Sequence, residues 1–147
     1  MKTEEDASLD LKTLKVELFD TLEVGEQVPG FVVTAFDESN VCWRDYHTKL
    51  VVLGFWSALQ PDSLARMRGL RAIHQEFGDN PRFRMLTVAC DHDAEVSRRF
   101  VESNSAVWDQ GHIQGLYSRV ANDLAVRNLP TTYLVGSGGT VLAKNLS

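Results

Sequence analysis

The chain has 147 residues, the usual length of one domain with a buried core. Hydrophobic residues make up 44% of it and charged residues 24%, both ordinary values for a globular protein, and the formal net charge is −5. This balance, without a face of clustered Lys and Arg, excludes the footprint of a nucleic-acid-binding protein, and no apolar run approaches the roughly 20 residues of a membrane-spanning helix.

The N-terminal segment, residues 1–23, is predicted to be a leader or linker that precedes the folded domain. Leu11, Leu14, Leu18 and Leu22 fall at roughly helical spacing, which leaves a short amphipathic helix and a linker as alternatives. The first ten residues are acidic and polar, so they do not form a signal peptide. We therefore expect either a cytoplasmic protein or a fragment of a longer exported one.

After this segment, predicted strands and helices alternate. Strands are predicted from runs of β-branched and aromatic residues, and helices from apolar residues spaced three or four apart. The predicted strands cover residues 31–36, 41–43, 50–56, 83–90, 106–109, 131–135 and 140–144, and the predicted helices cover residues 61–77, 94–104 and 116–124. This order predicts one α/β domain over residues 24–147, with a central mixed sheet flanked by helices and an N-terminal β-hairpin.

The strand at residues 50–56 is apolar on successive residues, a pattern typical of a strand that is buried on both faces. It ends at a small-residue turn that begins with Ser57 and leads into a helix. Pro61 is predicted to lie in the first turn of this helix, where its missing N–H is not needed, and Asp62 beside it suits the positive end of the helix dipole.

Four segments, at residues 24–31, 51–63, 87–93 and 126–139, carry a resemblance to thioredoxin-like domains of the TlpA/ResA type, which are related to the AhpC/TSA redoxins. Their order and spacing agree with the family over about residues 24–146. The four segments resemble, in that order, the family's G-x-x-x-P-x-F segment, its VVLxFWAxWCxPC turn, its VSxDxD strand end and its VxGxPTTFLIDxxG motif. The resemblance implies a thioredoxin-like fold and a relationship to thiol-disulfide oxidoreductases.

The two redox cysteines of that family correspond to Gln60 and Ser63 in this chain. Thiol–disulfide exchange needs a thiolate nucleophile and a second thiol that resolves the mixed disulfide, and neither an amide nor an unactivated hydroxyl replaces them. A CxxC-type oxidoreductase is therefore excluded at this site. Cys42 and Cys90, the two cysteines that the chain does contain, are far apart in sequence and are predicted to be unpaired buried thiols.

The leading prediction is a domain that has lost its dithiol and binds a protein or an extended peptide. The resemblance implies that Pro130 forms a cis peptide bond beside the turn and exposes the backbone before it, which then pairs with a peptide by strand addition. The residues predicted to contact the partner are Trp56, Leu59, Gln60, Leu129 and Pro130. For Trp56, burial in the core and contact with a partner are equal alternatives. No cofactor is predicted.

Two other functions stay open. One is thiol-disulfide oxidoreductase or antioxidant-type activity through Cys90 or through another domain of a longer protein. Cys90 ends a strand that we expect to reach the same sheet edge as the turn, but Asp91 and Asp93 next to it disfavour a thiolate. The other is a purely structural domain. The sequence Asp91-His92-Asp93 is predicted to form a turn and a helix N-cap, and no metal site is predicted.

Overall fold

The computed structural model describes residues 22–145, which form one mixed sheet with helices on both faces. The strands are β1 Val32–Thr34, β2 Asn40–Cys42, β3 Leu50–Trp56, β4 Phe83–Ala89, β5 Asp109–His112, β6 Thr131–Val135 and β7 Val141–Lys144. The helices are α1 Ser63–Phe77, α2 Ala94–Ser103 and α3 Arg119–Asp123, together with a 3-10 helix at Trp43–Tyr46. The helix predicted in the leader falls on residues that lie outside this range.

The seven strands lie in the order β2-β1-β5-β4-β3-β6-β7. Strands β3, β4 and β5 are parallel to one another, while the β1–β2 hairpin and the β6–β7 pair add antiparallel strands on either side. This topology confirms the predicted α/β class, the mixed central sheet and the N-terminal hairpin.

Strand β3 is the middle of the core because both of its faces are covered. Since side chains alternate between the faces of a strand, Leu53 and Phe55 contribute to one apolar cluster and Val52 and Trp56 to the other. Helices α1 and α2 cover the second face. Leu22, Val28 and Phe31, together with the 3-10 helix and α3, cover the first. The uninterrupted apolar run of β3 is explained by this two-sided burial.

Several predicted element boundaries are wrong; the helix predicted at residues 116–124, for example, is α3, which begins at Arg119. The strand predicted at residues 106–109 is β5, which begins only at Asp109; Ala106 and Trp108 are apolar because they pack in the core. Helix α1 begins at Ser63, so Pro61 lies in the preceding turn and not in the first helical turn. Asp62 is the N-cap residue of α1, but its side chain makes no capping hydrogen bond.

The N-terminal part of the described chain follows the edge of the sheet. The N–H of Gly25 donates to the carbonyl of Val141 at 2.8 Å, and the N–H of Val28 donates to the carbonyl of Gly139 at 2.8 Å. Leu22, 7% exposed, is buried in the core. These contacts cover part of the outer edge of β7, which would otherwise expose unpaired backbone groups. None of the helices within residues 22–145 has the length and apolar character needed to cross a membrane.

Candidate functional site at the turn after strand β3

The turn after β3 and the segment before β6 meet at one edge of the sheet. Strand β6 runs antiparallel to β3, with Thr131 paired to Phe55, so Leu129 and Pro130 lie beside the residues that follow β3. The Leu129–Pro130 peptide bond is cis. The resemblance in sequence implied this isomer and this position.

Backbone hydrogen bonds give the turn a defined shape. The N–H of Gln60 donates to the carbonyl of Ser57 at 3.2 Å, and the N–H of Ser63 donates to the carbonyl of Gln60 at 3.1 Å. The N–H of Leu59 donates to Ser57 Oγ at 3.1 Å. Leu59 and Gln60 form the exposed tip, and the side chain of Leu59 is 79% exposed.

Asp91, in the loop that follows β4, holds this turn in place. Its carboxylate is 4% exposed and accepts hydrogen bonds from the Ala58 N–H at 2.9 Å, from Ser97 Oγ at 2.6 Å and from Ser57 Oγ. A buried carboxylate is costly unless such donors satisfy it, and here the donors come from the turn and from α2. Asp91 therefore connects three elements. Sequence reasoning missed this role, although an Asp directly after a buried strand was a signal.

The other prediction for this loop is confirmed. Asp93 is the N-cap residue of α2, and its side chain accepts a hydrogen bond from the Glu95 N–H at 2.9 Å. Asp93 caps only α2, whereas Asp91, two residues earlier, connects α2 to the turn after β3. No group of three or more metal-ligating side chains comes together among residues 22–145.

The two residues at the family's cysteine positions occupy different environments. Gln60 is exposed at the tip of the turn. Ser63 is 2% exposed, and its hydroxyl donates to the carbonyl of Ser57. Since this hydroxyl donates to a carbonyl and not to a base, it is not activated as a nucleophile. Ser63 instead ties the start of α1 to the turn.

Cys90 lies at the same edge but is buried. Strands β3 and β4 are parallel, and the N–H of Cys90 donates to the carbonyl of Trp56 at 2.8 Å, which places Cys90 beside the turn as predicted. The residue is 6% exposed, and burial raises the pKa of its thiol to about 12, with a further contribution from the charge of Asp91. The thiol is therefore protonated at neutral pH and is a poor nucleophile.

Both cysteines are free, which confirms that they do not pair. The prediction that both are buried is wrong for Cys42, which is only partly buried because it lies in the edge strand β2. It lies in the hairpin and not at the turn, so it offers no second thiol for exchange with Cys90.

The structure separates Trp56 from the other predicted binding residues. Its side chain is 2% exposed and packs against Phe100, with 5.2 Å between the ring centroids. Trp56 therefore supports the turn from beneath and presents no surface to a partner. Leu59 and Gln60 are exposed, and Leu129 and Pro130 are partly exposed. Binding by these four residues stays a prediction.

The backbone of Leu129 has no partner in the described part of the chain. Within residues 22–145, neither its N–H nor its carbonyl has a backbone hydrogen-bond partner, although the neighbouring Asn128 carbonyl accepts a hydrogen bond from Thr131 Oγ1 at 2.6 Å. Unpaired backbone groups beside a sheet are the groups that an added strand uses. This arrangement offers an extended peptide both a donor and an acceptor.

Comparison with known proteins supports the fold. A family model described as thioredoxin-like matches residues 48–141. No curated protein matches the chain.

Similar solved structures include three bacterial proteins. A thiol-disulfide oxidoreductase from Bacteroides fragilis NCTC 9343 is 23% identical, with a TM-score of 0.77 over 83% of this chain and 91% of the other. The C-terminal domain of a putative thiol-disulfide oxidoreductase from Bacteroides thetaiotaomicron is 24% identical, with a TM-score of 0.78 over 85% and 88%. A putative thiol:disulfide interchange protein DsbE from Chlorobium tepidum is 17% identical, with a TM-score of 0.77 over 86% of each chain. These identities establish a shared fold and no more.

Proposed function

The chain belongs to the thioredoxin-like family, and we propose that its turn after β3 binds an extended segment of a partner protein without dithiol exchange. The observation that carries the proposal is the backbone of Leu129, unpaired among residues 22–145, beside a turn that holds Gln60 and Ser63 in place of cysteines. The site keeps the surface that a peptide needs and lacks the groups that exchange needs.

The peptide-binding surface combines backbone and apolar contacts. A segment that adds to the sheet at Leu129 pairs with its N–H and carbonyl, and passes the tip of the turn. There the side chain of Leu59 is 79% exposed and is accessible to the partner. Backbone pairing supplies affinity for any extended segment, and Leu59 favours a segment that has an apolar side chain at this point.

The alternative activity through Cys90 has less support. A reactive thiol has to be accessible and easily deprotonated, whereas Cys90 is 6% exposed and has a raised pKa. The hydrogen bond from its Sγ to the carbonyl of Val88, at 3.6 Å, also points the thiol towards its own strand. We therefore propose binding and not catalysis as the function of this edge.

We expect Leu59→Asp to weaken peptide binding about tenfold, because it removes the apolar contact at the turn and places a charge there. The probe is a twelve-residue peptide selected from a displayed random library on the full chain, and its affinity is measured by fluorescence anisotropy. Val107→Asp is the matched control, since Val107 is 73% exposed and precedes β5 at the opposite end of the sheet. Equal affinity for both variants, or no selected peptide at all, would contradict the proposal.

A further inference from the structure

A groove beside the turn extends the proposed peptide site along α2. Its volume is about 360 Å³, and among the described residues it is lined by Ala58, Val96, Arg99, Phe100, Ser103 and Asn104. Ala58 belongs to the turn itself, and its N–H is held by Asp91. The groove is therefore continuous with the candidate site and is fixed relative to it by the same buried carboxylate.

The side chains at the base of the groove favour an apolar ligand. The carbonyl of Phe100 accepts hydrogen bonds from the Asn104 N–H at 3.1 Å and from Asn104 Nδ2 at 2.9 Å. The carbonyl of Asn104 accepts one from the Arg71 guanidinium. These polar groups are already satisfied, so a ligand gains little by offering them hydrogen bonds. The side chains of Val96 and Phe100, the latter backed by Trp56, offer apolar contact instead.

Arg99 gives the groove its charge. It is the one charged residue among those described in the lining, and its side chain is 75% exposed. Its Nε contacts Glu95 Oε1 at 3.3 Å, but Glu95 is also held by the guanidinium of Arg98, which donates to both of its carboxylate oxygens. The carboxylate of Glu95 is thus shared, and Arg99 retains exposed donors for a second carboxylate.

We propose that the partner segment continues from Leu129 across Ala58 into this groove, and that it carries an apolar side chain for Val96 and Phe100 and a carboxylate for Arg99. The inference rests on the proposed function and names the chemistry of its partner. Arg99 precedes Phe100 and lies three residues after Val96, so the three side chains line one short stretch of α2. Since an extended chain rises about 3.3 Å per residue, the Asp or Glu of the partner lies within about three residues of its apolar residue.

The test selects peptides from a displayed random twelve-residue library on the full chain and measures their affinities by fluorescence anisotropy. We expect selected peptides to combine an aliphatic or aromatic residue with a nearby Asp or Glu. Arg99→Glu should weaken their binding about fivefold, and a peptide with Lys in place of the acidic residue should bind Arg99→Glu better than it binds the unchanged chain. Arg68→Glu is the control, because it makes the same charge change at an exposed position outside the groove.

Leu129→Pro separates the two proposals, since it removes the backbone N–H that strand addition uses. Circular dichroism checks that this variant is folded. Peptides that depend on Leu129 but bind Arg99→Glu and Arg68→Glu equally would overturn the groove proposal and leave the proposed function intact. Peptides that do not depend on Leu129, or the absence of any selected peptide, would overturn the proposed function and with it this inference.

Discussion

Asp91→Ala is expected to lower the free energy of unfolding by about 3 to 5 kcal/mol, the largest effect of any single substitution at the site. The variant leaves the Ala58 N–H and the hydroxyls of Ser57 and Ser97 without their buried acceptor. It also leaves space where the carboxylate was. Since small domains unfold at a cost of about 5 to 15 kcal/mol, this loss is a large part of the total. Urea unfolding followed by circular dichroism measures it.

Asp93→Ala is the matched control for this prediction. It removes an Asp two residues further along, whose side chain makes a single capping hydrogen bond to the Glu95 N–H. Loss of an N-cap costs about 1 kcal/mol. If the two variants were equally stable, Asp91 would not be the anchor that holds the turn, and the preformed shape of the site would need another cause.

The double variant Gln60→Cys/Ser63→Cys is expected to gain thiol–disulfide exchange activity at the turn after β3. The backbone hydrogen bond from the Ser63 N–H to the Gln60 carbonyl, 3.1 Å long, closes a turn of four residues. Such turns bring their end Cα atoms within about 7 Å, close to the range that a disulfide spans. A thiol at position 60 also lies just before α1, whose N-terminus favours a thiolate.

Insulin reduction by dithiothreitol measures this gain, with a rate roughly tenfold above that of the unchanged chain as the expected result. Thiol titration after oxidation by glutathione shows whether the new cysteines pair. Gln60→Cys alone is the control, because without a resolving thiol it forms mixed disulfides but does not turn over. Two thiols that stay unpaired under oxidising conditions would show that the turn does not have the geometry of a dithiol motif.

The position of the site was predictable because local sequence patterns encode it. The apolar run of β3 and the small residues from Ser57 onward placed the turn, and the segment around Pro130 placed the facing backbone. The first prediction rests on short-range signals, namely burial on two faces and turn chemistry, whereas the place of Pro130 beside the turn was implied by the resemblance to thioredoxin-like domains. The absence of cysteines at Gln60 and Ser63 is equally visible in the sequence.

The parts that were missed depend on long-range contacts. The carboxylate of Asp91 finds donors at Ser57, 34 residues earlier, and at Ser97 in the next helix. Its position directly after a buried strand is a signal, but the local pattern does not show which donors the carboxylate meets. Trp56 could not be assigned to core or surface because its burial depends on Phe100, which α2 supplies. The late start of β5 has a similar cause, since Ala106 and Trp108 are apolar for packing and not for pairing.

Reduction of insulin by the unchanged chain and by Cys90→Ser distinguishes an edge that only binds partners from one that exchanges disulfides. We expect that neither protein exceeds the dithiothreitol background, since the thiol of Cys90 is buried and has a raised pKa, and that both bind the selected peptide with equal affinity. Turnover by the unchanged chain that Cys90→Ser abolishes would contradict the proposed function and make the domain a single-cysteine oxidoreductase.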